Sequence, residues 1–204
     1  MDKKELIESL KRAGFSKKIL DAFSKVERKN FVPENMKENA YSDTALPIGH
    51  GQTISQPYTI AIMLSELNLG SGQKVLEIGS GSGYVLALMS EIIGKRGRVF
   101  GMEIIKKLAE NSKELLENYE NVKIYSKSGF EGLKEEAPFD RILISAAVRE
   151  IPESILNQLK DGGILVAPRG PRFEQNIVII ERKGKEFITK SEIKGFIFVP
   201  FIEE

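Results

Sequence analysis

The sequence predicts an α/β protein: a doubly wound, mostly parallel sheet with an N-terminal helical extension and a C-terminal antiparallel hairpin. Three observations carry that expectation. Val75 to Ile78 is a short, apolar, partly β-branched run, followed by Gly79, Gly81 and Gly83 and then by an apolar pattern of helical spacing from Tyr84. Strand, glycine turn and helix together read as a nucleotide-type pocket at the carboxyl edge of a parallel sheet. Short apolar runs then alternate with helical patterns along the chain, as βαβ units require. Finally, Lys183-Gly184-Lys185 separates two strand-like runs and marks a hairpin turn.

The elements follow in order. Residues 3 to 13 place Leu6, Ile7 and Leu10 on one helical face, and Gly14 stops the helix. Ser16 is placed to cap a second helix through about Val26, with Ile19, Leu20 and Phe23 inward. Pro33 pushes Val32 toward an extended conformation and ends that pattern. The apolar faces of these helices need a partner, which the main sheet provides. Ala40 to Pro57 reads as a long irregular segment, uncommon inside a compact domain and often functional when ordered. A helix through Leu67 turns Ile60, Met63, Leu64 and Leu67 inward.

After the glycine turn, Arg98 to Met102 is a second apolar segment ending at Glu103. A helix to about Asn118 carries Ile105, Leu108, Leu115 and Leu116, and Val122 to Tyr125 is a strand. Arg141 to Ile144 is the next buried strand. Pro152 opens a helix that Asp161-Gly162-Gly163 ends, and Ile164 to Ala167 returns as a strand. Ile177 to Ile180 and Phe187 to Ile193 form the closing hairpin. The order of the last strands is not fixed by this pattern.

Composition narrows the class. A chain of 204 residues, 41% hydrophobic and 29% charged, suits one sizeable α/β domain. A formal net charge of +1 gives no electrostatic footprint for nucleic acid. There is no cysteine, hence no disulfide frame, thiolate metal site or cysteine nucleophile, and no metal is expected. Met1-Asp2-Lys3-Lys4-Glu5 lacks the apolar core of a signal peptide, and no apolar run approaches membrane length. A cytoplasmic monomer, away from membrane and nucleic acid, is the expectation.

Two acids sharpen the glycine turn. Glu77 lies on the first strand, two residues before Gly79, and Glu103 ends the second strand, where an acid can accept both ribose hydroxyls. A dinucleotide site wants Gly-x-Gly-x-x-Gly, whereas here Tyr84 stands at the third position. An acid just ahead of the turn is unwelcome to a pyrophosphate and suits a cationic ligand. The pattern therefore resembles the class I, Rossmann-like methyltransferases, whose ligand, S-adenosylmethionine, carries an ammonium and a sulfonium. The plain alternative is a tight strand-helix turn with no ligand. Taken alone, Ser55 reads as a helix cap ahead of Pro57, and His50, the only histidine, as a flexible residue between two glycines.

Further stretches are more specific. Ala40-Tyr41-Ser42-Asp43, then Leu46-Pro47-Ile48-Gly49, then Gly51-Gln52-Thr53-Ile54-Ser55-Gln56-Pro57-Tyr58 closely resemble the protein-L-isoaspartate O-methyltransferases. Ala137-Pro138-Phe139-Asp140, Gln158 to Gly163 and Phe198-Val199-Pro200 fit the same family, in order, over nearly the whole chain. The Thr53 to Tyr58 stretch discriminates, because the glycine motif serves methyltransferases of many substrates.

The resemblance implies a single methyltransferase domain over 1–204, with N-terminal helices and active-site loop at 1–57 and the cofactor-binding core at 58–204. It implies methyl esterification of the free α-carboxylate of L-isoaspartyl residues in damaged proteins and peptides, initiating repair through a succinimide. S-adenosyl-L-methionine is then the cofactor and S-adenosyl-L-homocysteine the product. Ser55 is the family's active-site serine and orients the acceptor oxygen, with Asp43 and Ile54 beside it on the substrate side. Gly79, Ser80, Gly81 and Ser82 face the methionine portion, Glu77 attracts the ammonium and Glu103 holds the ribose. The family carries Gly-Asp-Gly at the adenine, where this chain has Lys127-Ser128-Gly129, so Ser128 and Gly129 are the aligned adenine residues. A hydroxyl residue of some members is replaced by Ile202. Two alternatives share the glycine turn: a methyltransferase with another acceptor, and a cofactor-binding protein without turnover.

Overall fold

The computed structural model describes residues 1–202. Helices α1 (Lys3–Arg12) and α2 (Lys17–Lys25) open the chain. Asp2 starts α1 through a reciprocal capping box, accepting from the Glu5 amide at 2.8 Å while Glu5 accepts from the Asp2 amide at 2.8 Å. Ser16 occupies the cap position of α2, but its hydroxyl makes no capping bond. Two short 3-10 turns follow, at Arg28–Phe31 and Glu34–Asn39.

The segment expected to be irregular contains a small hairpin, β1 (Leu46–Gly49) with β2 (Gln52–Ile54), turned at His50, whose φ is 53°. Leu46, Ile48 and Ile54 are buried, so the hairpin is anchored by one apolar face. Strands this short carry too few alternations to be read as strands from sequence.

The main sheet is formed by β3 (Lys74–Ile78), β4 (Arg98–Glu103), β5 (Val122–Ser126), β6 (Phe139–Ile144), β7 (Leu159–Arg169), β8 (Gln175–Lys183) and β9 (Glu186–Phe196). They lie in the order β5-β4-β3-β6-β7-β8-β9, the first five parallel and the last two antiparallel. That settles the closing strands: β7, β8 and β9 are sequential neighbours. The intervening helices are α3 (Pro57–Leu67), α4 (Tyr84–Ile93), α5 (Lys106–Leu115) and α6 (Glu153–Leu156). One expectation fails here. The helix opened by Pro152 ends at Leu156, and Asp161-Gly162-Gly163 lies inside β7 instead of ending a helix. Beyond that helix Leu159 pairs with Phe139, and the Gln158 side chain crosses to the 131–133 loop, donating to Glu131 O and accepting from Leu133 N.

Side chains of β3 alternate between two apolar clusters. Val75 faces α1, α2, α3 and α4, while Leu76 and Ile78 face a second cluster with Phe139, Leu133 and Ile155. The N-terminal helices share the first cluster with α4, through Phe23 and Tyr84. The strand order reverses at β3: β4 and β5 lie to one side of it, β6 and β7 to the other, all parallel. A crevice at the carboxyl ends of β3 and β6 is the geometric consequence.

Candidate active site

The glycine turn follows β3 with Gly79, Gly81 and Gly83 at φ of 81°, 51° and 85°, conformations that L-residues with side chains adopt at a cost. Gly79 N and Ser80 N both donate to Met102 O, so the turn is tied to the end of β4. A pocket opens there. Its floor is Ile78 and Gly79, its sides are Met102 to Ile105 and Ser145-Ala146, and Gln52, Thr53 and residues 199–202 cover it. Gly129 completes the wall, and a Cβ at that position would stand 2.2 Å from Ile78 Cγ2, so only glycine fits. A wider hollow between Gly94–Arg98 and Asn118–Lys123 lies at the opposite, amino edge of the strands, away from the glycine turn.

Of the two acids, Glu103 lines the pocket and Glu77 lies outside its lining, and both are buried. Glu103 is 5% exposed, and each of its oxygens accepts a backbone amide, from Gly81 at 2.7 Å and from Ile105 at 2.8 Å. It braces the glycine turn from the next strand, and each oxygen keeps a further lone pair. Glu77 is 1% exposed and points to the α4 side of the sheet, behind the pocket wall. Ser145 Oγ donates to its Oε1 at 2.6 Å, and Oε2 has no partner among the described residues. Burial raises the Glu77 pKa to about 8, against the Ser145 bond and with help from the Glu103 charge. A cation arriving beside it favours the ionised form of this acid.

The other expected residues divide. Gly79, Gly81, Glu103 and Gly129 line the pocket directly. Ser80 is buried with its hydroxyl unpartnered among the described residues, turned toward Gly101 of β4 and not into the pocket. Ser82 is half-buried at the turn, outside the lining. Ser128 sits next to Gly129, and its hydroxyl accepts the Phe130 amide at 3.3 Å.

On the acceptor side, Ser55 is half-buried, and no described residue hydrogen-bonds its hydroxyl. It is not the cap of α3. That work is done by Asp43, which accepts the Tyr58 amide at 2.8 Å and Gln56 Nε2 at 3.0 Å. Asp43 is exposed and committed to the start of α3, and Ile54 is buried against Leu46 across the hairpin. Four contributors were missed by sequence reasoning: Gln52 and Thr53 on β2, Ser145 bonded to Glu77, and Gly101. A Cβ on Gly101 would stand 2.6 Å from Leu86 Cδ1, so this glycine lets α4 approach the sheet. The signal for it was a lone glycine inside an apolar strand.

Strand order, glycine turn and acid-lined pocket at the switch point define a class I methyltransferase. The same architecture occurs at 20% identity in a precorrin-6y C5,15-methyltransferase from Geobacter metallireducens, with a TM-score of 0.53 over 72% of this chain and 89% of that one. The chain belongs to the protein-L-isoaspartate(D-aspartate) O-methyltransferase family, whose profile matches residues 1–204.

A protein-L-isoaspartate O-methyltransferase of Thermosipho melanesiensis is 42% identical over 199 residues, covering 97% of this chain and 100% of that protein. One from Fervidobacterium nodosum is 41% identical over 96% of this chain and 98% of its own. A solved protein-L-isoaspartate O-methyltransferase superposes with a TM-score of 0.89 at 30% identity, over 98% of this chain and 65% of that longer one. A Plasmodium falciparum structure of that description, in complex with S-adenosyl-L-homocysteine, gives 0.88 at 29% identity over the full length of both.

Proposed function

We propose that this protein uses S-adenosyl-L-methionine to esterify the free α-carboxylate of L-isoaspartyl residues in damaged proteins and peptides, initiating their repair through a succinimide. The observation that carries the reading is the Thr53-Ile54-Ser55-Gln56-Pro57-Tyr58 stretch, whose first residue covers the switch-point pocket, in a chain that matches the family over its whole length. The pocket suits the cofactor: Glu103 lines it, Gly129 lets the 127–133 loop close directly on Ile78 where no Cβ fits, and Glu77 has an unpartnered oxygen that suits an ammonium. When bound, the cofactor supplies an electrophilic methyl group on a sulfonium.

The protein's own residues have a limited task. An α-carboxylate has a pKa of about 3.5, so the acceptor is already an anion at neutral pH and needs no general base. Ser55 donates its hydroxyl to one acceptor oxygen and holds the other in line for attack. Glu103 receives the ribose hydroxyls on its remaining lone pairs while bracing Gly81. Gly79, Ser80, Gly81 and Ser82 shape the methionine side, and Ser128 and Gly129 the adenine side. Asp43 and Ile54 act on the substrate side by fixing the backbone around Ser55. We read the enzyme as a single domain over 1–204, a cytoplasmic monomer acting on protein, not on nucleic acid or membranes. The formal net charge of +1 and the absence of cysteine support that reading.

Methyl incorporation into an isoaspartyl peptide and its aspartyl counterpart tests the assignment. The first is expected to be methylated and the second not, because moving the chain connection displaces the free carboxylate by a backbone atom. Equal rates on both would reject it. Ser55→Ala is expected to lower turnover by roughly ten- to two-hundredfold, the size of one hydrogen bond to a charged group, with cofactor affinity nearly unchanged.

A further inference from the structure

We propose that Arg28 is a positioning residue for methyl transfer: buried between the N-terminal extension and α4, it holds the acceptor loop against the helix that the glycine turn opens. The proposal rests on the functional reading above. Arg28 is 0% exposed. Its Nε donates to Ala40 O at 2.8 Å and its Nη2 reaches Thr44 O at 3.4 Å, so one guanidinium holds both ends of the 40–44 loop. The same group lies 5.2 Å from the ring centroid of Tyr84, the first residue of α4, and Nη1 has no partner among the described residues. Tyr84 is in turn fixed against Phe31, with ring centroids 5.4 Å apart.

The loop so held leads to the reacting residue. Asp43 lies between the two anchored carbonyls, and its carboxylate accepts from Gln56 and Tyr58, immediately after Ser55. One set of contacts therefore runs from the start of α4, through Arg28 and Asp43, to the backbone that carries Ser55. The sequence neighbour Glu27 is engaged elsewhere, by Lys3 at 2.5 Å and by the Tyr41 hydroxyl.

Burying a cation is expensive; two backbone carbonyls, the Tyr84 ring face and the charge of nearby Asp43 offset part of that cost here. Desolvation draws the Arg28 pKa down only to about 10, so the group stays charged at neutral pH and the cost is not escaped by deprotonation. What the residue uniquely offers is a rigid planar fork that reaches two carbonyls and a ring face at once, which neither lysine nor methionine can do.

The test compares Arg28→Met and Arg28→Lys with wild type, reading melting temperature, cofactor affinity by calorimetry, and kcat and KM on an isoaspartyl peptide. Arg28→Met leaves the Ala40 and Thr44 carbonyls without their donor, so its melting temperature is expected to fall, with cofactor affinity within about twofold and kcat lower by about ten- to a hundredfold, the usual cost of misplacing a reacting group. Arg28→Lys keeps the charge and is expected to lose kcat similarly. Wild-type kcat in either variant, or an equal loss of cofactor affinity, overturns the proposal. Should Arg28→Met fail to fold, Arg28→Lys decides: it must lose kcat with cofactor affinity held, and wild-type kcat there overturns the proposal. Wild-type turnover on the same peptide is measured alongside. Failure of the functional reading appears there, and failure of this inference in the ratio of variant to wild type.

Discussion

Glu77 shows how a single residue links folding to ligand charge. Its carboxyl has a folded pKa of about 8 against an ordinary 4.5, so the native state holds a proton that the unfolded chain has released. The sign follows: stability falls as pH rises from 4.5 toward about 8, and is level beyond. Glu77→Gln removes that slope, and urea denaturation is expected to show the variant gaining on wild type as pH rises from 4.5 to about 8. A bound cation favours the ionised form. Cofactor binding near neutral pH is therefore expected to release a proton, measurable by calorimetry in buffers of different ionisation heat. Glu103 makes a different prediction, because both its oxygens already accept backbone amides. In Glu103→Gln the new amide group faces a backbone N–H, a donor against a donor, at a cost of about 1–3 kcal/mol. The melting temperature is expected to fall, and cofactor affinity to weaken by more than about tenfold, or about 1.4 kcal/mol, by calorimetry. Wild-type affinity would limit this acid to bracing the turn.

At the scale of elements, the site is made by close approach. β3 and the 127–133 loop meet at Ile78 and Gly129 with no space for a Cβ. Gly129→Ala is expected to push the loop outward, lowering both the melting temperature and cofactor affinity, while the turn at Gly79–Gly83 stays intact. A thermal melt and a cofactor titration of the one variant check both. The hairpin β1–β2 contributes in the same way: Ile48 Cδ1 lies 3.2 Å from where a Cβ on Gly81 would stand, so the acceptor segment rests on the cofactor turn. Local pattern does not reveal such contacts. Asp43 caps α3 from 15 residues upstream, so the sequence around Pro57 pointed instead to the nearest hydroxyl, Ser55. Likewise Pro152 promised a longer helix, yet pairing of Leu159 with Phe139 draws the chain into β7 two residues after the helical turn closes.

For the whole molecule, the cofactor is expected to act as a folding ligand, because its pocket is assembled from β3, β4, β6, the β1–β2 hairpin and the C-terminal segment. At about a hundredfold excess over its dissociation constant it stabilises the native state by about 2.7 kcal/mol, which for a chain of this size raises the melting temperature by roughly 5–10 °C in a thermal-shift titration.

The architecture itself was legible in the sequence. Buried parallel strands write themselves as short apolar runs, and the turn after β3 needs glycines that no other residue replaces, so strand, turn, helix and family stretches all stood in the linear order. Tertiary structure alone decided the rest. It placed Glu77 behind the pocket wall with Ser145 and put Glu103 to work on two amides. It assigned the cap of α3 to Asp43, and it buried Arg28 against Tyr84. The reason is physical: spacing along a chain encodes period and turn chemistry, whereas desolvation and hydrogen-bond partnership depend largely on neighbours brought together from as far as 68 residues away.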